Sequence, residues 1–244
     1  MTYLYLTDKV IVVSEKTAEF LKRGNNTSNR KVQVIYNGVD LTIFNPEEID
    51  SHVKAELKIS SDHIVLGIIG VLERYKGHLY LFQAIENLKL NGINNWKCLV
   101  VGDGRERDEL VKFVKDKNLS ENILFLGYRR DIPSLLKAMD ILVIPSIEQE
   151  AFPRVAIEAM AMKVPVVCTD FGGLPEAVID GKTGMVVPVK DTDSLCKAIR
   201  YLIEHPAARE KMGDAGRKRV EEKFSMDINV KKTEELYLDV LKNF

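Results

Sequence analysis

The sequence predicts an α/β fold: a doubly wound, Rossmann-like parallel sheet. Three observations carry that prediction. Short apolar runs alternate with amphipathic stretches, which is the mark of a parallel sheet wrapped by helices. The runs place Val, Ile and Leu on consecutive positions, as strands covered on both faces require. The glycine-rich and charged clusters at 70–77, 102–105, 127–130, 145–153 and 169–173 all fall just after such runs, at the strand ends where open α/β sheets bind ligands.

The first 45 residues stand outside the alternation. Residues 8–14 read as a strand entering an N-cap, 15–22 as a helix, 24–29 as a polar loop, 32–36 as a second strand and 37–40 as a turn. A strand, a helix and a strand without a sheet of their own bury little. The alternation then pairs strand 64–69 with helix 79–90, 96–101 with 106–117, 123–126 with 132–137, 141–144 with 153–162, and 164–168 with 174–179. A last strand, 185–187, precedes three helical patterns at 191–204, 206–222 and 226–241.

Composition excludes several classes. Lys plus Arg number 35 against 36 Asp plus Glu, so no general field draws nucleic acid, and none is expected as a partner. No apolar run approaches the roughly 20 residues of a membrane span, and the first residues lack the basic start of a secretory signal. The expected address is the cytoplasm, extending to the inner face of a membrane for the complete protein. Cys98, Cys168 and Cys196 have no close spacing and read as buried small apolar residues. His52, His63, His78 and His205 show no metal spacing, so no metal site is expected, and His78 is expected to be solvated on a helix start.

Chemistry concentrates between Glu150 and Glu158. Pro153 suits the first position of a helix because its missing N–H would be an orphan there, which leaves Glu150 in the loop and Glu158 about two turns inside. The amides of Phe152, Arg154 and Val155 would then face outward with partial positive charge, a setting for a diphosphate. Carboxylates on either side of a phosphate would repel it, so they are expected to accept hydrogen bonds from neutral hydroxyls. Hydroxyls beside a diphosphate suggest a sugar nucleotide.

The run from Ile144-Pro145-Ser146 through Glu150, Phe152, Glu158 and Ala161 resembles the signature of the retaining glycosyltransferases of family four, which have the GT-B fold. The resemblance implies that Glu150, as the catalytic carboxylate, sits by the donor hexose and that Glu158 holds the donor ribose. The helix start at Phe152, Pro153 and Arg154 would meet the diphosphate. Gly70-Val71-Leu72-Glu73-Arg74-Tyr75-Lys76-Gly77 is similar to the family's phosphate loop, with Lys76 as point charge and Gly77 opening the next helix. The family's arginine after the first glycine is Val71 here, so Arg74 is expected to assist Lys76.

Three further loops follow strands. Gly102-Asp103-Gly104-Arg105 is either a tight turn or a donor-facing loop. Gly127-Tyr128 lies where the family meets the nucleobase, which makes Tyr128 a base contact, while Asp131 reads as the N-cap of the next helix. Gly172-Gly173 resembles the family's loop near sugar and diphosphate, where backbone approaches ligand.

By the resemblance, residues 1–45 are the tail of an N-terminal acceptor domain with its crossover linker, 46–225 the nucleotide-sugar domain and 226–244 a crossover helix that packs across the first domain. The chain is then the donor-binding half of a GT-B enzyme, truncated or split, expected to bind donor without a metal cofactor and to transfer little by itself. Its expected partners are a nucleotide-sugar donor, an acceptor such as a glycan or lipid-linked sugar, and an N-terminal half in trans. The alternatives are a sugar-nucleotide epimerase and a non-catalytic nucleotide-sugar-binding partner subunit.

Overall fold

The computed structural model describes residues 7–25 and 31–242, so most of the polar loop expected at 24–29 lies outside the described residues. Six parallel strands form the main sheet: β3 (Ile64–Ile69), β4 (Trp96–Val101), β5 (Ile123–Gly127), β6 (Ile141–Ile144), β7 (Val166–Thr169) and β8 (Gly184–Val187). Their order is β5-β4-β3-β6-β7-β8. Strand order therefore reverses between β3 and β6, which opens a crevice at the carboxyl ends of those two strands.

Alternate residues of each strand enter opposite cores. Val65, Leu99, Val101, Leu142 and Val166 face one layer, formed by α5 (Ile132–Ala138), α6 (Arg154–Ala161), α7 (Leu174–Ala177) and α9 (Pro206–Lys223). Leu66, Ile68, Cys98, Val100, Val143 and Val167 face the other, formed by α3 (His78–Leu90), α4 (Arg107–Asp116) and α8 (Thr192–Glu204). The doubly wound expectation holds for this reason: a strand buried on both faces needs apolar residues at every position. Burial raises the Cys98 thiol to about 12 and pushes Cys168 up as well, so both behave as core residues, while Cys196 is half-buried.

Two boundaries that differ from expectation involve proline. Pro153 lies outside α6 with extended backbone (φ −78°, ψ 114°), so Arg154 opens the helix and Glu158 sits about one turn inside it rather than two. Strand β7 begins at Val166, after Pro165, which has no N–H to give to a ladder.

Before the sheet, β1 (Val10–Val12) and β2 (Val32–Val34) pair in parallel across helix α1 (Glu15–Asn25), which runs beyond its expected end at 22. A single helical turn, α2 (Val53–Glu56), follows. The β1–α1–β2 block is tied to the rest of the chain at several points. The ring of Tyr36 packs at 5.1 Å on Phe152 and 5.3 Å on Phe224, and Phe152 and Phe224 meet at 5.4 Å. Val39 bridges to Ser225, at the entry to α10 (Met226–Lys242), and the Asn229 amide donates to the Tyr36 carbonyl at 2.7 Å. Tyr237, Leu238 and Leu241 of α10 remain exposed. Among the described residues, no helix is long and apolar enough to cross a membrane.

Candidate functional site

The crevice is built from the loops that follow β3 and β6. After β3 the chain turns back at Gly70, passes a tight 3-10 turn at Arg74–Lys76 and enters α3 through Gly77, whose positive φ of 74° suits glycine. A Cβ on Gly77 would collide with the Pro145 carbonyl, so the two loops touch backbone to backbone there. The Ile147 amide donates to the Tyr75 carbonyl at 2.8 Å and fixes their register.

Glu150 and Lys76 close the crevice. The Lys76 Nζ donates to Glu150 Oε2 at 2.6 Å, with side-chain exposures of 24% and 8%. The Ser146 hydroxyl donates to the same oxygen at 3.0 Å, and Ser146 is itself held by the Thr169 hydroxyl, which donates to its carbonyl at 2.5 Å. Residues 74 positions apart thus meet at the point where strand order reverses, with ends of β3, β6 and β7 all contributing.

Glu158 lies on α6 with 14% of its side chain exposed, and Arg154 approaches it at 3.5 Å. Burial pushes its carboxyl above the ordinary range, and the Arg154 charge opposes that shift. A half-dry carboxyl of this kind gains most from a ligand that donates neutral hydroxyl hydrogens. Arg154 itself is exposed, as is Arg74, which makes no side-chain ion pair or hydrogen bond among the described residues.

The glycine-rich loops turn out to frame the site. A Cβ on Gly172 or Gly173 would strike the carbonyl of Glu150 or Ala151, and the Gly173 amide donates to the Glu150 carbonyl at 3.2 Å. These glycines let the loop after β7 press against the backbone that carries Glu150. Among the described residues, the close approach these glycines make is to that backbone. Gly102 and Gly104 likewise pack on the Gly70 and Leu72 carbonyls, and the Leu72 amide donates to the Asp103 carbonyl at 2.9 Å, so this loop turns tightly against the loop after β3.

The Phe152 ring is buried in the aromatic cluster with Tyr36 and Phe224, so its backbone amide is what it offers the crevice. Two other expectations are corrected. His78 is 3% exposed, not solvated; neither ring nitrogen has a hydrogen-bond partner among the described residues, and burial with help from the Lys76 charge lowers its pKa to about 4. Asp131 does precede α5, yet its carboxylate makes no cap: it accepts from Arg129 at 2.6 Å and 2.8 Å. Tyr128 stands 75% exposed after the edge strand β5, two strands from β3.

Sequence reasoning passed over Glu176, which stands on α7. Its Oε2 accepts from the Glu15 amide at 2.8 Å and the Tyr36 hydroxyl at 3.0 Å, and its Oε1 from the Lys16 amide at 2.9 Å. A carboxylate of the main domain therefore caps the helix of the small block. That contact places Lys16, Thr17 and Phe20 of α1 opposite Glu150, Phe171 and Gly172 across a cleft of about 370 Å3. Among the described residues no group of three or more His, Cys, Asp or Glu gathers as metal ligands.

A family model described as "Glycosyl transferases group 1" matches residues 50–219, and one described as "Glycosyltransferase Family 4" matches residues 2–43. The chain is 30% identical over 215 residues to N-acetyl-alpha-D-glucosaminyl L-malate synthase of Bacillus anthracis, covering 88% of this chain and 55% of that protein. It is 30% identical over 256 residues to the capsular polysaccharide biosynthesis glycosyltransferase CapM of Staphylococcus aureus, covering 98% and 66%. Among solved structures, a glycosyltransferase from Rickettsia africae ESF-5 superposes with a TM-score of 0.91 at 27% identity, over 97% of this chain and 64% of that one. Anabaena Alr3699/HepE in complex with UDP-glucose superposes at 0.84 and 28%, over 95% and 64%. The chain spans 55% and 66% of the length of these two curated relatives.

Proposed function

This chain belongs to the group 1 glycosyl transferases of the GT-B fold, and from that premise we propose that its β3–β6 crevice binds a nucleotide-diphosphate sugar for retaining transfer of a hexose. The observation that carries the proposal is the Lys76–Glu150 contact at the switch point, with the start of α6 and Glu158 directly following. Lys76 and the amides opening α3 and α6 would hold the diphosphate, with Arg74 free to replace the cation that Val71 omits. Glu158 would take the ribose hydroxyls and Glu150 the hexose. Tyr128 would border the base. A hexose donor is supported by the UDP-glucose complex of the Anabaena neighbour.

In the reaction proposed, an acceptor hydroxyl oxygen bonds to the sugar C1 from the face that the diphosphate leaves. The C1–O bond breaks with its electrons going to the phosphate oxygen, which takes up the acceptor's proton. Lys76 and the helix starts offset the charge that develops on that oxygen. These groups supply the counter-charge without a metal, so donor affinity should survive a chelator.

Calorimetry with UDP-, GDP- and ADP-sugars tests the assignment. Lys76→Ala should lose roughly 1.5–3 kcal/mol of donor binding, about 10- to 150-fold in Kd. Glu158→Ala should also weaken binding. Asp131→Ala should leave binding intact and cost about 1 kcal/mol of stability, because its Arg129 pair is partly exposed and Arg129 keeps Glu56 as a partner. Equal donor affinity in all three variants and the parent protein would discredit these roles.

A further inference from the structure

The Lys76–Glu150 pair has to change when a donor arrives. No other ion pair among the described residues hides both partners so far from water. A diphosphate entering beside Lys76 competes with Glu150 for the same ammonium, whether the lysine turns to the phosphate or is shared between the two. Either way a carboxylate only 8% exposed is left under-compensated, next to an anion of its own sign. Among the described residues, the Ser146 hydroxyl alone remains on it. What restores the balance is a set of neutral O–H donors at the carboxylate, and a hexose linked to the diphosphate brings them. A free nucleoside diphosphate does not.

We infer that Glu150 makes the crevice discriminate between an intact nucleotide sugar and the nucleoside diphosphate left after transfer, so that the carboxylate reclaims Lys76 once the hexose departs and promotes product release. The inference rests on the donor reading above and adds a selectivity that reading does not contain. The frame behind Glu150 supports it. Gly172 and Gly173 press on the backbone at Glu150, Thr169 fixes Ser146, whose hydroxyl holds Glu150 Oε2, and the side chain is only 8% exposed, so Glu150 has little room to swing away from an incoming anion.

The test is calorimetry of the parent chain and Glu150→Gln with three matched pairs: UDP and UDP-glucose, GDP and GDP-mannose, ADP and ADP-glucose. The glutamine keeps the size and one acceptor oxygen and removes the charge. In the pair that binds, Glu150→Gln should take up the free nucleoside diphosphate about tenfold more tightly and narrow its preference for the nucleotide sugar by at least that factor. Glu150→Ala should move free-nucleotide affinity the same way, which guards against a folding artefact in either variant. Should free-nucleotide affinity stay level or fall in variants that melt like the parent, the discrimination does not come from Glu150 and the inference is wrong. Should no pair bind the parent at millimolar concentration, the inference and the donor reading fall together.

Discussion

Behind the crevice residues stand two continuous layers of core, whereas behind β1 and β2 the buried apolar residues described are Val12, Ala18 and Val32. Lys76 and Glu150 are carried by loops that touch backbone to backbone and spring from central strands. The block that faces them is placed by tethers: the Glu176 carboxylate on α1, the rings of Tyr36, Phe152 and Phe224, the bridge from Val39 to Ser225, and the Lys9–Asp239 ion pair at 3.2 Å. The difference teaches where rigidity resides. Charges that must meet a ligand at fixed spacing sit on the sheet with its own two-layered core, and the opposite wall of the cleft is hung from it by side-chain and backbone tethers.

The largest expected effect separates the two regions at their shared aromatic cluster. Phe224 is 1% exposed, stacks edge-on to Tyr36 and lies 5.2 Å beneath the Arg219 guanidinium. Phe224→Ala should cost about 3–5 kcal/mol in thermal or denaturant unfolding, as other buried aromatic truncations do. Donor affinity of the folded fraction should stay at the parent value. A fall in that affinity matching the fall in stability would show that the crevice depends on the tethers after all, and the contrast would be lost.

The next effect belongs to the crevice side alone. His78 opens α3 with its ring buried and its pKa lowered from 6.5 to about 4, burial being the larger cause and Lys76 the lesser. A base whose folded pKa is depressed contributes stability that is fully present above its unfolded value and is lost as pH falls through the folded one. The window is therefore pH 6.5 down to about 4, and the loss should reach about 3 kcal/mol. His78→Leu should flatten that slope, seen as the difference between the two proteins' unfolding free energies across the window. The same difference at every pH would mean that His78 titrates alike in the folded and unfolded states and that burial does not hold it neutral.

The strands were legible because burial on both faces leaves a run that nothing else explains, and the positions of Lys76 and Glu150 at strand ends followed from them. His78 carried a signal too: with Leu81, Phe82, Ile85 and Leu88 it forms one apolar stripe at helical spacing, all buried. Proximity to Lys76 and Gly77 hid that stripe. Pro153 was ambiguous by nature, since a proline fits both the first helical position and the extended residue before it. Glu176 offered no local signal, because its partners lie 140–161 residues away and a glutamate early in a helix usually needs none.

Glu176 yields the smallest effect and the sharpest test of the tethers. Its two oxygens serve two backbone amides and a phenol, so Glu176→Gln keeps one acceptor and turns an N–H2 toward a group that also donates. The expected cost is about 1–2 kcal/mol, the range of a lost helix cap or charge-assisted hydrogen bond. Hydrogen exchange should locate it: the Glu15 and Lys16 amides should exchange about tenfold faster or more, while amides of β3 and β6 keep parent rates. Tyr36, pushed up to about 12 by burial first and by Glu176 second, should titrate lower in the variant yet stay above its ordinary 10.0, because burial persists. Parent-like exchange at both amides would mean that α1 is anchored by its own N-cap, in which Ser14 accepts from the Thr17 amide at 3.1 Å, and that the block holds its place without the main domain's carboxylate.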